Sequence, residues 1–346
     1  MTPVVPVIAL LVAAASFAAW GQTTNSMSGQ KGINTNELFN LDASQLGARI
    51  IAYKKLGVKW ARLDFDWSII QPTDSKTFNA AGLNSAVQAL SSAHIQVLGI
   101  IDYTPSWANG GQPTRFYPPR NPADFAIYAG KLAAHFAPMG VHTWEIWNEP
   151  NVGKFWGPVP DPVRYCALLK AAFVAIHKTD QRATIMTGGL AQARTGAVSI
   201  RAVDFLQRIY AAGAKGYFNA IADHPYISPE MPADDSRNGW QTMFATSPSL
   251  RSVMSDHGDS KPIWITEFGA PTSGDDVTVI SEARQAVMIS QAFKFSRSYS
   301  WAGPLFVYNL RDFHRYGQST DPGSYYGLLR YDGSAKPSFA AYQNAP

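Results

Sequence analysis

Glu149 in WEIWNEPN and Glu267 in WITEFGAP are the residues best placed to do chemistry. Each closes a short apolar run that contains Trp, and each is followed by residues that turn the chain: Pro150 after the first, Gly269 and Pro271 after the second. A lone Glu before Pro ordinarily marks a surface turn. Two of them at the ends of buried runs bring two carboxyl groups to one rim instead. Two facing carboxyls are the minimum apparatus for hydrolysing a glycosidic bond. Period-two alternation places Asn148 on the opposite side of the pleat from its neighbour Glu149.

Other residues admit two readings. Arg62 and Glu145 fall inside apolar runs, so they either satisfy each other as a buried ion pair or, for Arg62 above all, reach the site. Asp64, Asp66 and Asp102 lie toward the ends of such runs, where they could bond hydroxyl groups or cap loops. His224 is either a hydrogen-bonded packing residue or a substrate contact. Trp107 in TPSWA, Trp156 in KFWG, Trp240, Trp301 and Tyr308 fall mostly after apolar runs, in segments expected to rim a site, where an aromatic face suits the apolar face of a sugar. The one cysteine, Cys166, excludes an intrachain disulfide and reads as a small packing residue on a helix.

Short apolar runs alternating with amphipathic segments must position these groups. The runs begin weakly near Gly32, then read WARLDFDW from Trp60, IQVLGIIDY from Ile95, HTWEIWNEP from His142, ATIMTGG from Ala183, FNAIADHPY from Phe218, KPIWITEFG from Lys261 and GPLFVYNL from Gly303. Their length and apolarity suit parallel strands buried on both faces. Phe125, Tyr128, Ala129, Leu132, Ala133 and Phe136 keep to one helical face behind an Asn121–Pro122 start. Asp161–Pro162 starts another helix, and the run through Leu46, Ile50, Tyr53 and Leu56 stops at Gly57. Eight strands alternating with helices give a barrel or an open doubly wound sheet. The lack of a glycine-rich phosphate loop after the first run, and polar residues gathered at the strand ends, favour a single α/β domain, a (β/α)8 TIM barrel over 28–346.

Composition narrows the function classes. The net charge of +4 comes from scattered Lys and Arg with no basic run, so no nucleic-acid partner is implied. The first thirty residues carry no charged side chain, and the stretch from Pro3 to Trp20 is apolar and Ala-rich, as in a signal peptide over 1–21. It lacks the usual positive start and is also near the length of a membrane span, so an uncleaved anchor is the other reading. A secreted, periplasmic or cell-envelope monomer is expected, with a membrane partner only in the anchored case.

NEP after the fourth strand and an ITEFG-type Glu after the seventh resemble glycoside hydrolase clan A, retaining enzymes on (β/α)8 barrels. WEIWNEPN and the HPY of the sixth strand most resemble family 39, with the cellulase-like family 5 close by. The resemblance implies Glu149 as acid/base, Glu267 as nucleophile, Asn148 on the sugar 2-hydroxyl and Tyr226 on the nucleophile. It implies a poly- or oligosaccharide substrate and no cofactor. Xylosides, iduronides or bacterial exopolysaccharide follow from family 39, and β-glucans or mannans from family 5. Retention needs carboxyls about 5 Å apart, one protonated and one ionised. Charge on Glu267 favours the protonated form of Glu149, and donors such as Tyr226 or Arg62 would keep Glu267 ionised. The sequence departs from the clan at strand eight, where VYNLRD stands in place of a Trp and leaves Tyr308 as the stacking residue.

Two other classes compete. A metal-dependent barrel hydrolase would gather carboxylates and His224 at the strand ends, but the first strand lacks paired histidines, so no metal is expected. A carbohydrate-binding barrel without catalysis would have no use for an acid facing a nucleophile.

Overall fold

The computed structural model describes residues 27–35, 37–235 and 237–346. The expected signal or anchor segment lies outside them. Strands β1 (Lys31–Asn34), β2 (Trp60–Asp66), β3 (Gln96–Asp102), β4 (Thr143–Asn148), β5 (Thr184–Ala191), β6 (Ile221–His224), β7 (Ile263–Phe268) and β8 (Ala302–Val307) pair in parallel, each with the next. β8 returns to β1, with Val307 opposite Ile33, so the sheet closes into a barrel without edges.

One helix follows each strand at the outer layer: α1 (Ala43–Leu56), α2 (Ala81–Ser92), α3 (Pro122–Phe136), α4 (Pro162–Thr179), α5 (Ala202–Ala211), α6 (Leu250–Asp256), α7 (Glu282–Ser298) and α8 (Pro337–Gln343). The start signals act as the sequence predicts. Asn121 accepts the Ala123 N–H and Asp161 accepts those of Val163 and Arg164, in each case with Pro at the first helical position. Gly57 ends α1 at φ 71°, a left-handed conformation that costs a glycine little. All six expected core residues of α3 are buried, as is Cys166 on α4.

Strand alternation divides the core in two. Outward-facing residues such as Leu63, Phe65, Trp144 and Ile185 pack against the helices in one large cluster. Inward-facing Trp60, Leu98, Met186, Ala220, Ala222, Trp264 and Phe306 plug the barrel, with Trp60 edge-on to Trp264 at 5.0 Å. Above this apolar plug the inward positions turn polar, at Asn34, Arg62, Glu145 and His224, all fully or almost fully buried. The polar layer is the floor on which the site is built. No helix among the described residues is long and apolar enough to cross a membrane.

Candidate active site

Glu149 leaves β4 through a backbone irregularity that pattern reasoning did not anticipate. Trp147 and Glu149 adopt φ 73° and 44°, the left-handed region that non-glycine residues rarely occupy. The strand alternation is broken there. Asn148 and Glu149 both line one cleft rather than opposite sides of the pleat. Two glycines of β5 make the room. A Cβ on Gly188 would lie 2.4 Å from the Trp147 carbonyl oxygen, and one on Gly189 would lie 2.0 Å from His224 Nε2. The Glu149 N–H donates to the Gly189 carbonyl at 3.1 Å, which pins the turn.

Glu267 reaches the same cleft from β7. Carboxylate oxygens of Glu149 and Glu267 lie within 4.8 Å of each other and of a ring nitrogen of His224. Three donors surround Glu267: Arg62 Nη1 at 2.7 Å from Oε1, the Tyr226 hydroxyl at 2.8 Å from Oε2, and His224 Nδ1 at 3.7 Å from Oε2. His224 Nδ1 is closer to Glu149 Oε1, at 3.0 Å, and its Nε2 lies 3.1 Å from Thr266 Oγ1.

Arg62 organises the floor. Its Nε and Nη2 bond both oxygens of Glu145 at 2.8 and 3.1 Å, while Nη1 bonds Asn34 and Nη2 bonds the Asn148 side-chain oxygen. Both readings of Arg62 therefore hold at once, as partner of buried Glu145 and as donor to Glu267. Glu145 also accepts the Gly189 N–H at 2.8 Å, so this buried carboxylate is well supplied with donors.

The electrostatics around Glu267 favour its charged form. Burial works against ionising Glu267, yet the charges of His224 and Arg62 and the Tyr226 hydrogen bond outweigh it and hold this carboxyl below its usual range. Burial likewise opposes a charged His224, but the neighbouring Glu267 and Glu149 win and push its pKa up. Burial and the adjacent Glu267 charge push the Tyr226 hydroxyl well up, so it remains a donor. A protonated His224 donates to Glu149 from one nitrogen and to Thr266 from the other, and Thr266 Oγ1 lies 3.5 Å from Glu145. Glu149, His224 and Glu267 have the spacing of a three-ligand cation site. In the observed arrangement their atoms are engaged with one another and with Arg62 and Tyr226.

The cleft holds about 280 Å³, and Tyr103, Lys154, Phe155, Tyr308 and Tyr326 also line it. A larger hollow of about 620 Å³ lies at the opposite end of the barrel beside Lys31, Lys59 and Arg297. No Asp or Glu lines it, so it offers none of the acid–base groups of the cleft.

Several sequence expectations need correction. Trp156 lies outside the cleft lining, buried edge-on to Trp147 at 5.1 Å and Tyr165 at 5.7 Å, and turns no face to the cleft. Its neighbour Phe155 faces the cleft. Trp107 is half-buried outside the cleft lining, edge-on to Trp67, with its indole N–H donating to the Gln71 carbonyl at 2.8 Å. Trp240 is buried against Phe268, and Trp301 stacks on Tyr299. His224 is wholly buried behind the cleft lining and bonds Glu149 and Thr266, the packing reading of the two the sequence allowed. Tyr308 lines the cleft as expected. The sequence reading missed Asn34, Thr266 and Tyr326, the last lying edge-on to both Tyr226 and Tyr308 at 5.7 Å. The polar end of GINTN and the paired tyrosines of SYYG were the available signals.

The family model for cellulase (glycosyl hydrolase family 5) matches residues 20–302. Among solved structures, the chain is similar to a family 39 glycoside hydrolase from the gut symbiont Bacteroides cellulosilyticus WH2, at 22% identity and TM-score 0.71, over 92% of this chain and 64% of that one. A family 39 β-xylosidase from Caulobacter crescentus gives 17% identity and TM-score 0.68 over 92% and 71%. A family 5, subfamily 18 protein from Streptomyces cattleya, in complex with GlcNAc, gives 17% and 0.66 over 92% and 79%. No curated protein matches the chain. At these identities the solved structures speak for the barrel fold, and the chain spans 64% of the length of the first of them.

Proposed function

This chain belongs to the cellulase family, glycosyl hydrolase family 5, and we propose from that premise that it is a retaining glycosidase acting on a poly- or oligosaccharide. Glu267 attacks the anomeric carbon while Glu149 gives its proton to the departing glycosidic oxygen. The C–O bond to the leaving sugar breaks and an ester forms between Glu267 and the glycosyl unit. Esterification removes the charge on Glu267, so Glu149, now ionised, takes a proton from water. The resulting hydroxide opens the ester and restores both carboxyls.

The observation that carries this reading is two carboxyls within 4.8 Å of each other, with Glu267 held below its usual range by His224, Arg62 and Tyr226. Such a separation leaves no room for the water that an inverting enzyme seats between its carboxyls, about 6.5–9.5 Å apart. Asn148, fixed by Arg62, is free to use its amide N–H groups on the sugar hydroxyl next to the anomeric centre. Tyr308, Tyr326 and Phe155 offer aromatic faces to the ring. The uncharged apolar stretch at 3–20, read as a signal peptide or an uncleaved anchor, supports action at or beyond the cell envelope, and we take the working form to be a monomer.

Plant and bacterial polysaccharides and aryl glycosides test the proposal, with product lengths separating internal from terminal cleavage. Glu267→Gln is expected to abolish turnover while sparing binding. Undiminished hydrolysis by that variant would remove Glu267 as nucleophile.

A further inference from the structure

Where the cleft crosses β2 and β3, its wall is made of carboxyl groups that hydrolysis does not use. Asp64 and Asp102 both line it, on neighbouring strands whose register sets Asp64 beside Ile100 and Asp66 beside Asp102. Asp102 is 1% exposed, and neither of its carboxyl oxygens has a hydrogen-bond partner among the described residues. An orphaned buried carboxyl is costly, and folding alone gives no return for it. The two arginines that act on the pair are engaged elsewhere: Arg62 with Glu145 and Glu267, and Arg115 with Asp66 at 2.5 Å. Burial, with further repulsion from Asp66 and Glu267, pushes Asp64 up to about 7. Burial and the charges of Asp64 and Asp66 push Asp102 well above the carboxylate range. Asp102 thus favours its protonated form, Asp64 titrates around neutral pH, and a protonated carboxyl can both donate and accept.

We propose that Asp64 and Asp102 are specificity-determining residues that together bind two adjacent hydroxyls of a neutral sugar ring seated beside Glu149 and Glu267, and that they exclude uronates. The proposal rests on the glycosidase reading above and names its substrate class. A diol supplies donors and acceptors that complement a protonated carboxyl pair, and it satisfies the orphaned oxygens of Asp102. A uronate seated on this wall would bring a negative charge against Asp64 and Asp102, while Lys154, the other cation of the cleft lining, comes from the loop after β4 and stands over the Phe155 ring at 5.1 Å. Of the substrates that the sequence resemblance allows, iduronides are therefore excluded, while xylosides, glucosides and mannosides remain.

The test compares the parent with Asp64→Asn and Asp102→Asn on p-nitrophenyl β-xyloside, β-glucoside, β-mannoside, β-glucosaminide and β-glucuronide, and on monodeoxy forms of the best neutral glycoside. Thermal unfolding establishes that each variant folds. The expected result is a loss in kcat/KM of about tenfold or more on the neutral glycoside in each variant, a similar loss in the parent when the matching hydroxyl is removed, and little further loss when the two changes are combined. Fully additive losses overturn the proposal. So does a parent preference for the glucuronide, or for the glucosaminide with that preference abolished by Asp102→Asn, which would make the wall a cation site. If the parent turns over no glycoside, the hydrolytic reading fails by itself. Saturation-transfer NMR of free xylose, glucose and mannose with Glu267→Gln then decides the wall separately. A signal lost on adding Asp102→Asn supports the wall, and one that is unchanged or never present overturns it.

Discussion

Arg62 holds two carboxylates at once through one planar fork, and no other side chain can copy that geometry. Arg62→Lys keeps the charge but cannot bond Glu145 twice and Glu267 as well. Breaking a buried pair costs about 3–5 kcal/mol, so a fall in stability is expected. The more specific consequence is on the pH profile. Glu267 is held below its ordinary value of 4.5, despite burial, by His224 and by Arg62 among others, so weakening Arg62 moves the acid limb of kcat/KM to higher pH. An unmoved limb would take Arg62 out of the account. His224 carries the opposite sign. Its pKa lies above the ordinary 6.5, because Glu267 and Glu149 outweigh burial, so its contribution to stability is complete below 6.5 and is lost as pH rises through the raised value. Unfolding free energies measured from pH 6 upward should show that loss in the parent and not in His224→Gln.

The scale of elements explains why two positive-φ residues persist at the end of β4. The packing of β4 on β5 holds them, and it works only because Gly188 and Gly189 have no side chains. Gly189→Ala puts a methyl where His224 Nε2 stands, so the ring must leave either Glu149 or Thr266. A fall in kcat of about tenfold or more, with a stability cost of about 1–3 kcal/mol, is the expected result. Crystal structures or NMR of His224 would show the displaced ring, and an undisturbed His224 with parental kcat would contradict the packing argument. The strands were legible in the sequence because parallel strands buried on both faces leave continuous apolar runs. The helices were legible where Asn121–Pro122 and Asp161–Pro162 cap them. Placement to within one residue was not. Alternation put Asn148 away from Glu149, because a positive φ leaves no trace in residue type unless the residue is glycine. Phe155 rather than Trp156 lines the cleft for a related reason: in a loop, no period says which neighbour points inward. His224 was ambiguous because both its partners are distant in sequence, and Asn34 and Thr266 passed unnoticed on the same ground.

At the scale of the whole molecule, the barrel spends stability to keep its mouth reactive. Burial pushes Asp64 from 3.8 to about 7, so ionising it in the folded state is resisted and stability falls as pH rises through that interval. Asp64→Asn removes this loss. At pH 8 the variant is expected to melt about 2 °C or more above the parent, with the gap closing toward pH 4. A gap independent of pH would show that Asp64 is not the strained group. Barrel closure also accounts for the pairing of Glu149 with Glu267, since β4 and β7 are far apart in sequence and meet only across the mouth. The most direct test of what that pairing does is proton NMR of the hydrolysis of a polysaccharide or aryl glycoside, recorded before the product mutarotates. Carboxyls this close predict a first-formed sugar with the anomeric configuration of the bond that was cut, whereas the inverted anomer would contradict the double displacement through Glu267.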